Sequence, residues 1–354
     1  MKDKIVGLVL GTVSGDALGM PVEGYTFERI QAEHGVISNY VSPEGHKWFK
    51  DEEAGTWTDD GQLTLATIQS LLHFPLHTAI RDDSGEQVMD SIAASHVEAL
   101  KETTMGWGGS TRKAVRKLAN GCPWKESGTS GTGKGKGNGV AMKIAPLAAS
   151  LKKMQDQGYE QEEIERFYEF VLQFTMMTHQ SEMAAISAFM QVTAVNYCLN
   201  THPGDFHPGT FLDAVITSGR LAKQICRVKY PDLPLEEDDL VERVAGLFAY
   251  CDGPICDVKD IAGNFEGAGC YVYQSLPMAY AMFLQHARQA ESPSAIICLT
   301  VSAGGDTDTT GAIVGALVGA LWGASSFPSH LVEGLQRKEF ALGLAHDFAA
   351  QLGY

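Results

Sequence analysis

The sequence predicts an all-α fold, on three observations. Apolar residues recur at helical spacing in segment after segment, alternating strand-like runs are scarce, and two apolar stretches carry glycine at every fourth residue. The 354 residues are enough to bury a sizeable core. Composition does not shift along the chain and no repeat of solenoid period interrupts it, so one domain over 1–354 is expected.

The first helix is expected over about Lys4 to Met20, with Gly7, Gly11, Gly15 and Gly19 on one ridge. A glycine inside a helix costs roughly 1 kcal/mol relative to alanine, so four of them call for close approach by another backbone. Asp16 breaks the apolar character of this helix, Pro21 ends it, and the carboxylate of Glu23 follows. Next comes Gly55-Thr56-Trp57-Thr58-Asp59-Asp60-Gly61, leading into a helix over Gln62 to Leu72. Adjacent carboxylates repel unless a cation or hydrogen-bond donors compensate. Taken alone, Thr58, Asp59 and Asp60 also suit an N-cap with an acidic first turn.

A helix over Val88 to Leu100 precedes Gly106-Trp107-Gly108-Gly109-Ser110, a glycine turn that presents an aromatic ring before another helix. The loop from Ser127 to Gly139 begins like a Walker loop at Gly128 to Lys134. It departs from that pattern at Gly135, where the magnesium-binding hydroxyl belongs, and no buried strand precedes it. What remains is a run of glycines exposing amides before a helix expected over Val140 to Leu151, a geometry suited to an anion such as diphosphate. Further helices are expected over Ile164 to Phe174, Met183 to Leu199, Leu240 to Tyr250, Tyr271 to Phe283, Ile296 to Val301 and Leu331 to Phe348, with Thr178-His179 opening the second of these.

The stretch from Gly304 to Gly323 organises the rest. Two glycines lead into Asp306, Asp308 and Thr309, and then a helix carries a second ridge of Gly311, Gly315, Gly319 and Gly323. Its uncharged run falls just short of the roughly 18 residues of a membrane span, so it reads as a core helix. An Asp at a helix start is often only a cap. Two Thr/Asp clusters, each opening a helix, supply hard oxygens from two sides for a dinuclear magnesium or manganese site. No HExxH and no Cys/His spacing for zinc occurs.

Composition narrows the function further. A net charge of −16 argues against binding to nucleic acid backbones or anionic membranes. Seven cysteines without a CxxC pair suit reduced thiols, and with no basic, apolar signal peptide at the start a cytoplasmic location is expected.

Five separated motifs, GDALGMPVE at 15–23, WTDDGQLTLA at 57–66, GNGVAMKIAPL at 137–147, TH at 178–179 and GGDTDTTGAIVGAL at 304–317, together resemble the ADP-ribosylglycohydrolases of the dinitrogenase reductase activating type. The resemblance spans nearly the whole chain. It implies a compact orthogonal bundle of helices with two divalent cations, Mg2+ or Mn2+, in a cleft. It implies that Thr58, Asp59, Asp60, Asp306, Asp308 and Thr309 hold the metals, with Asp308 bridging. Glu23 stands beside them as the favoured proton acceptor, with the aspartates as alternatives. Gly137, Asn138 and Gly139 are then the phosphate loop, Gly106, Trp107, Gly108, Gly109 and Ser110 a further substrate loop, and His179 a neighbour of the adenosine. The implied reaction frees ADP-ribose from a modified protein side chain, arginine first, with serine-linked, oligomeric or O-acetyl ADP-ribose as alternatives. A non-catalytic ADP-ribose binder is the second class of function, and a nucleotide phosphotransferase on the Ser127 loop the third.

Overall fold

The computed structural model describes residues 1–131, 134–251, 253–287 and 292–354; among them the chain is helical, with three isolated β-bridges and no strand. Thr132 and Gly133 of the Walker-like stretch lie outside the described residues. The longer helices are α1 (Lys2–Gly19), α2 (Asp59–His73), α3 (Gly85–Glu102), α4 (Gly109–Ala119), α5 (Ala145–Asp156) and α6 (Gln161–Met176). They continue as α7 (Glu182–Asn200), α8 (Pro208–Lys229), α9 (Val272–Ala287), α10 (Pro293–Val301), α11 (Thr307–Trp322) and α12 (Lys338–Gln351).

The two glycine ridges meet. Gly7 faces Gly319, Gly11 faces Gly315 and Gly15 faces Gly311, so α1 and α11 run antiparallel with their backbones in contact. A Cβ added at Gly7 would lie 2.6 Å from the Gly319 carbonyl oxygen, and one at Gly11 or Gly15 closer still to its partner. The packing reason expected for the glycines is therefore each other. Around this pair, α7, α9 and α10 pack on α11, while α2 and α12 pack on α1. The segment Lys2–Val22 is long and apolar enough to cross a membrane by length and composition, yet it is buried inside the fold.

Several element boundaries differ from expectation. The helix expected from Val140 begins at Ala145, with residues 140–143 forming turns and Ile144 the N-cap, because Pro146 has no N–H and fits only the first turn of a helix. The stretch expected as one helix to Phe348 is two, Ser329–Glu333 and α12, separated at Arg337, whose φ of +53° breaks helical geometry. After Ala245 the next expected helix tightens into a 3₁₀ turn, Gly246–Tyr250. The longest helix, α8 with 22 residues, is not foreseen by apolar spacing; its signals are the His207 side chain accepting from Thr210 N–H and Pro208 at the first position.

A candidate metal centre and substrate cleft

Antiparallel pairing of α1 with α11 puts the C-terminal end of one beside the N-terminal end of the other. Asp16 and Glu23 thereby meet Asp306 and Asp308. The approach is sealed by Thr307 Oγ1, which donates to the Gly19 carbonyl at 2.7 Å. Gly304 and Gly305 both have φ above +80° and thread between residues 24–27 and 267–268, where any side chain would strike backbone. Gly24 N–H donates to Gly305 O at 2.7 Å and Gly305 N–H to Tyr25 O at 2.9 Å, holding Glu23 against the second acidic cluster.

Capping of α2 comes from a distant residue. The Asp16 carboxylate accepts the N–H groups of Thr58 at 2.9 Å and Gly61 at 2.8 Å, and the Thr58 hydroxyl at 2.9 Å. Thr58, at the N-cap position, makes no side-chain cap of its own. Asp306, at the N-cap of α11, also caps nothing; its Oδ2 accepts from Asn138 Nδ2 at 2.6 Å. Only Asp308 keeps part of a cap, accepting Thr309 N–H at 2.8 Å on Oδ1. The cap reading thus fails for Thr58 and Asp306, whose oxygens are turned to the site.

The carboxylates fall into two overlapping groups. Oxygens of Asp16, Asp60 and Asp308 lie within 4.8 Å of one another, and so do those of Glu23, Asp306 and Asp308. Asp308 belongs to both. Thr58 Oγ1 stands 3.5 Å from Asp60 Oδ2 and from Asp308 Oδ2, inside the first group. Asp60 Oδ1 is buried with no hydrogen-bond partner. Burial, and then the charges of Asp306, Asp59 and Asp16, push Glu23 up to about 8. Burial and then Asp16 push Asp59 up to about 8. Asp60 and Asp308 rise well above the carboxylate range, by burial first and then by Asp16 and Glu23 respectively. Burial raises Asp16 to about 7 against the hydrogen bonds from Gly61 and Thr58.

So many buried carboxylates with an orphaned oxygen call for positive charge. Near them the protein supplies the fully buried Lys143, which donates to His96 Nε2 at 3.2 Å and which burial lowers to about 7 although the charge of Asp59 opposes it. Hard carboxylate and hydroxyl oxygens in two groups fit divalent cations of the magnesium or manganese kind. Neither Asp16 nor Lys143 is among the ligands or site residues expected from sequence; the trace of Asp16 there is a single carboxylate on a glycine-ridged apolar helix.

A cleft of about 280 Å³ opens above, lined by Glu23, Asp59, Asp306, Asp308 and Thr309 on its floor, by Gly106 and Gly108 to Thr111 on one wall, and by Gly137, Asn138, Gly139, Met142, His179 and Cys270 elsewhere. Thr58 and Asp60 are buried and do not line it. Gly106, at φ +77°, leaves room for Asp59, since a Cβ there would sit 2.5 Å from Asp59 Oδ1. Trp107 does not face the cleft. Its ring is buried with Leu63, Ala66, Ala99, Val115 and Met142, and its Nε1 donates to Gln62 Oε1 at 2.7 Å. It braces α2 against the 103–109 turn, which corrects its placement among substrate contacts.

The 127–139 loop is pinned by backbone on both sides. Thr129 N–H donates to Thr178 O at 3.0 Å, Asn138 N–H to Cys270 O at 3.1 Å and Val272 N–H to Lys136 O at 3.1 Å. It does not run into a helix N-terminus, because α5 starts six residues after Gly139. Of the helix N-termini at the cleft, those of α2 and α11 carry its aspartates, while that of α4 lines it with Gly109 to Thr111 and brings no acidic side chain. Asn138 donates both to Asp306 and, at 3.1 Å, to Ser275 Oγ, so its amide orients a carboxylate rather than standing free for phosphate. His179 is buried, hydrogen-bonded through Nδ1 to Thr178 Oγ1 at 2.9 Å, and lowered to about 3 by burial and by Lys143, so it meets the cleft as a neutral ring.

Residues 1–353 match the family described as ADP-ribosylglycohydrolase. The chain is 27% identical over 350 residues to an uncharacterized protein of Archaeoglobus fulgidus, covering 98% of this chain and 95% of that one. It is 25% identical over 338 residues to ADP-ribosylhydrolase ARH3 of Xenopus tropicalis (91% and 88% covered) and 24% over 342 residues to ADP-ribosylhydrolase ARH3 of Homo sapiens (91% and 86%). A solved structure described as an ADP-ribosylglycohydrolase-related protein complex shares the fold, with a TM-score of 0.65 over 99% of this chain and 98% of that one at 21% identity.

Proposed function

The chain belongs to the ADP-ribosylglycohydrolase family, and from that premise we propose that it hydrolyses the glycosidic bond between ADP-ribose and a modified protein side chain, arginine first. One observation carries the reading: Asp308, on the floor of a cleft walled by glycine loops, is shared by two groups of carboxylates, all buried but the half-buried Glu23. Asp16, Asp60 and Asp308 would hold one divalent cation, and Glu23, Asp306 and Asp308 a second, with Asp59 and the Thr58 and Thr309 hydroxyls beside them. Such cations, when bound, orient the ribose hydroxyls and lower the pKa of water.

The chain's own groups do the rest. The α4 N-terminus and the Gly137 and Gly139 backbone seat the diphosphate through N–H groups. This fixes C1 of the distal ribose over the carboxylates. Water adds its oxygen to C1 as the bond to the side chain breaks; the Glu23 carboxylate accepts the proton and returns it to the leaving nitrogen or oxygen. The wall at Gly106 and Gly108 excludes bulk, while neutral His179 packs against the nucleotide side. A phosphotransferase on the Ser127 loop finds no support, since the short helix Trp124–Ser127 occupies the place of the required strand. A non-catalytic binder is opposed by the complete set of Glu23, Asp59, Asp60, Asp306 and Asp308.

The test is release of free ADP-ribose from ADP-ribosylated arginine and serine peptides, with magnesium, manganese or chelator. Faster release from arginine with metal is expected. No release from either peptide under any condition sinks the hydrolase reading, and release from serine alone overturns the arginine assignment.

A further inference from the structure

Beyond Gly109 and Ser110 the cleft opens into a larger cavity of about 830 Å³, sharing with it Gly137 and Cys270 as well. The outer wall is basic: Arg112, Lys113 and Arg116 come from α4, and Lys134 and Lys136 from the loop. Lys136 pairs with Glu236, whereas Arg112, Lys113, Arg116 and Lys134 make no ion pair among the described residues. In a chain of net charge −16, four unpaired cations around one cavity concentrate positive potential where the rest of the surface is negative.

A single ADP-ribose does not account for them. Its diphosphate already finds neutral donors at the cleft, because the first amides of α4, at Gly109 to Thr111, have no acceptor within the helix. Arg116 lies six residues past Ser110, about 9 Å farther along the axis at 1.5 Å per residue. Arg112 and Arg116, four apart, share a face of α4. Arg116 therefore stands outside a diphosphate seated on the amides, farther along α4 than the residues that line the carboxylate cleft.

We propose that this basic wall is a second phosphate subsite, taking ADP-ribose that carries a further phosphate on its adenosine end, as a phosphomonoester or as the next unit of an ADP-ribose oligomer. It rests on the reading of the cleft as an ADP-ribose site. Arginine forks grip a phosphate by paired N–H groups, and a contact of this kind weakens as salt rises.

Calorimetry on the full chain with magnesium, at low and raised salt, tests it with three probes: ADP-ribose, ADP-ribose 2′-phosphate, and a purified dimer of ADP-ribose. At low salt at least one extended probe binds about tenfold or more tighter than ADP-ribose, and salt narrows the gap. In the double variant R112Q/R116Q, checked for helix content by circular dichroism, the gap closes while affinity for ADP-ribose holds. Tight binding of both extended probes assigns recognition to the phosphate alone, and of the dimer only, to the phosphate with its second nucleoside. Equal affinity for all three probes overturns the proposal, as does a variant that loses ADP-ribose in the same proportion. Failure of ADP-ribose itself to bind is a different result, and it overturns the reading of the cleft.

Discussion

Asn138 Nδ2 and Asp306 Oδ2 are 2.6 Å apart, a hydrogen bond from the glycine loop into the acidic floor. Groups that orient a metal ligand typically matter by 10 to 100-fold in affinity. N138A is expected to weaken magnesium binding by about that factor, read as a smaller rise of melting temperature with added metal. A variant with normal metal response and lost ADP-ribose affinity would instead return Asn138 to the phosphate.

Asp308 serves both carboxylate groups. In D308A the metal-free fold should be as stable as wild type or more so, because carboxylate repulsion is relieved, although loss of the bond to Thr309 N–H opposes this by roughly 0.5 to 2 kcal/mol. Turnover is expected to fall by orders of magnitude, and metal should no longer raise the melting temperature. Near-normal specific activity of the folded variant would remove Asp308 from the machinery.

The pH dependence has a definite sign. Asp59 and Glu23, raised to about 8 in the folded chain, stay protonated there between the ordinary carboxylate range and about 8, where the unfolded chain has released its protons. Folding then takes up protons, so the stability of the metal-free protein falls as pH rises through that window. Melting in chelator should occur at a lower temperature at pH 8 than at pH 5, with magnesium restoring stability most at pH 8. A metal-free protein more stable at pH 8 would contradict the raised values.

Trp107 braces the wall without touching the cleft. W107F loses the hydrogen bond to Gln62 and is expected to cost about 1 to 3 kcal/mol of stability, because a buried acceptor is left unpaired. Its KM for ADP-ribosylated peptide should change little. A KM raised tenfold with stability intact would place the indole on substrate after all.

Legibility in the sequence followed locality. Thr58-Asp59-Asp60 and Asp306-Thr307-Asp308-Thr309 were readable because each cluster sits within four residues at a helix start, and the glycine ridges because their period is that of the helix. Asp16 was not, since its partners, Thr58 and Gly61, are 42 and 45 residues away and nothing local marks a carboxylate that caps another helix. Lys143 was hidden by type, a lysine being the residue least expected at zero exposure. Trp107 misled because glycines on both sides look like an exposed turn, whereas the ring is held by Gln62 from a helix far back in the chain. Pro146 did mark the true start of α5, but the apolar Val140, Ala141, Met142 and Ile144 continue the helical pattern across the turn before it.

A methyl group tests the backbone contact directly. G11A gains up to about 1 kcal/mol of helix propensity but places a Cβ into the Gly315 carbonyl. A net loss of about 2 kcal/mol or more is expected from forcing the helices apart, measured by denaturant midpoint. A stabilised variant would show that the ridge tolerates separation.

The pairing of α1 with α11 also sets an order of events during synthesis. Gly19 and Thr307, bonded in the finished protein, are 288 residues apart, so the apolar stripe of α1 leaves the ribosome long before the surface that covers it exists. Until residues 307–322 emerge, that stripe depends on transient cover, and contacts of such long range form slowly. The carboxylate group of Asp16, Asp60 and Asp308 assembles in the same closing step, since it needs Asp16 from one partner and Asp308 from the other. A nascent chain interrupted before α11 therefore carries no partial activity: the centre arrives late and all at once.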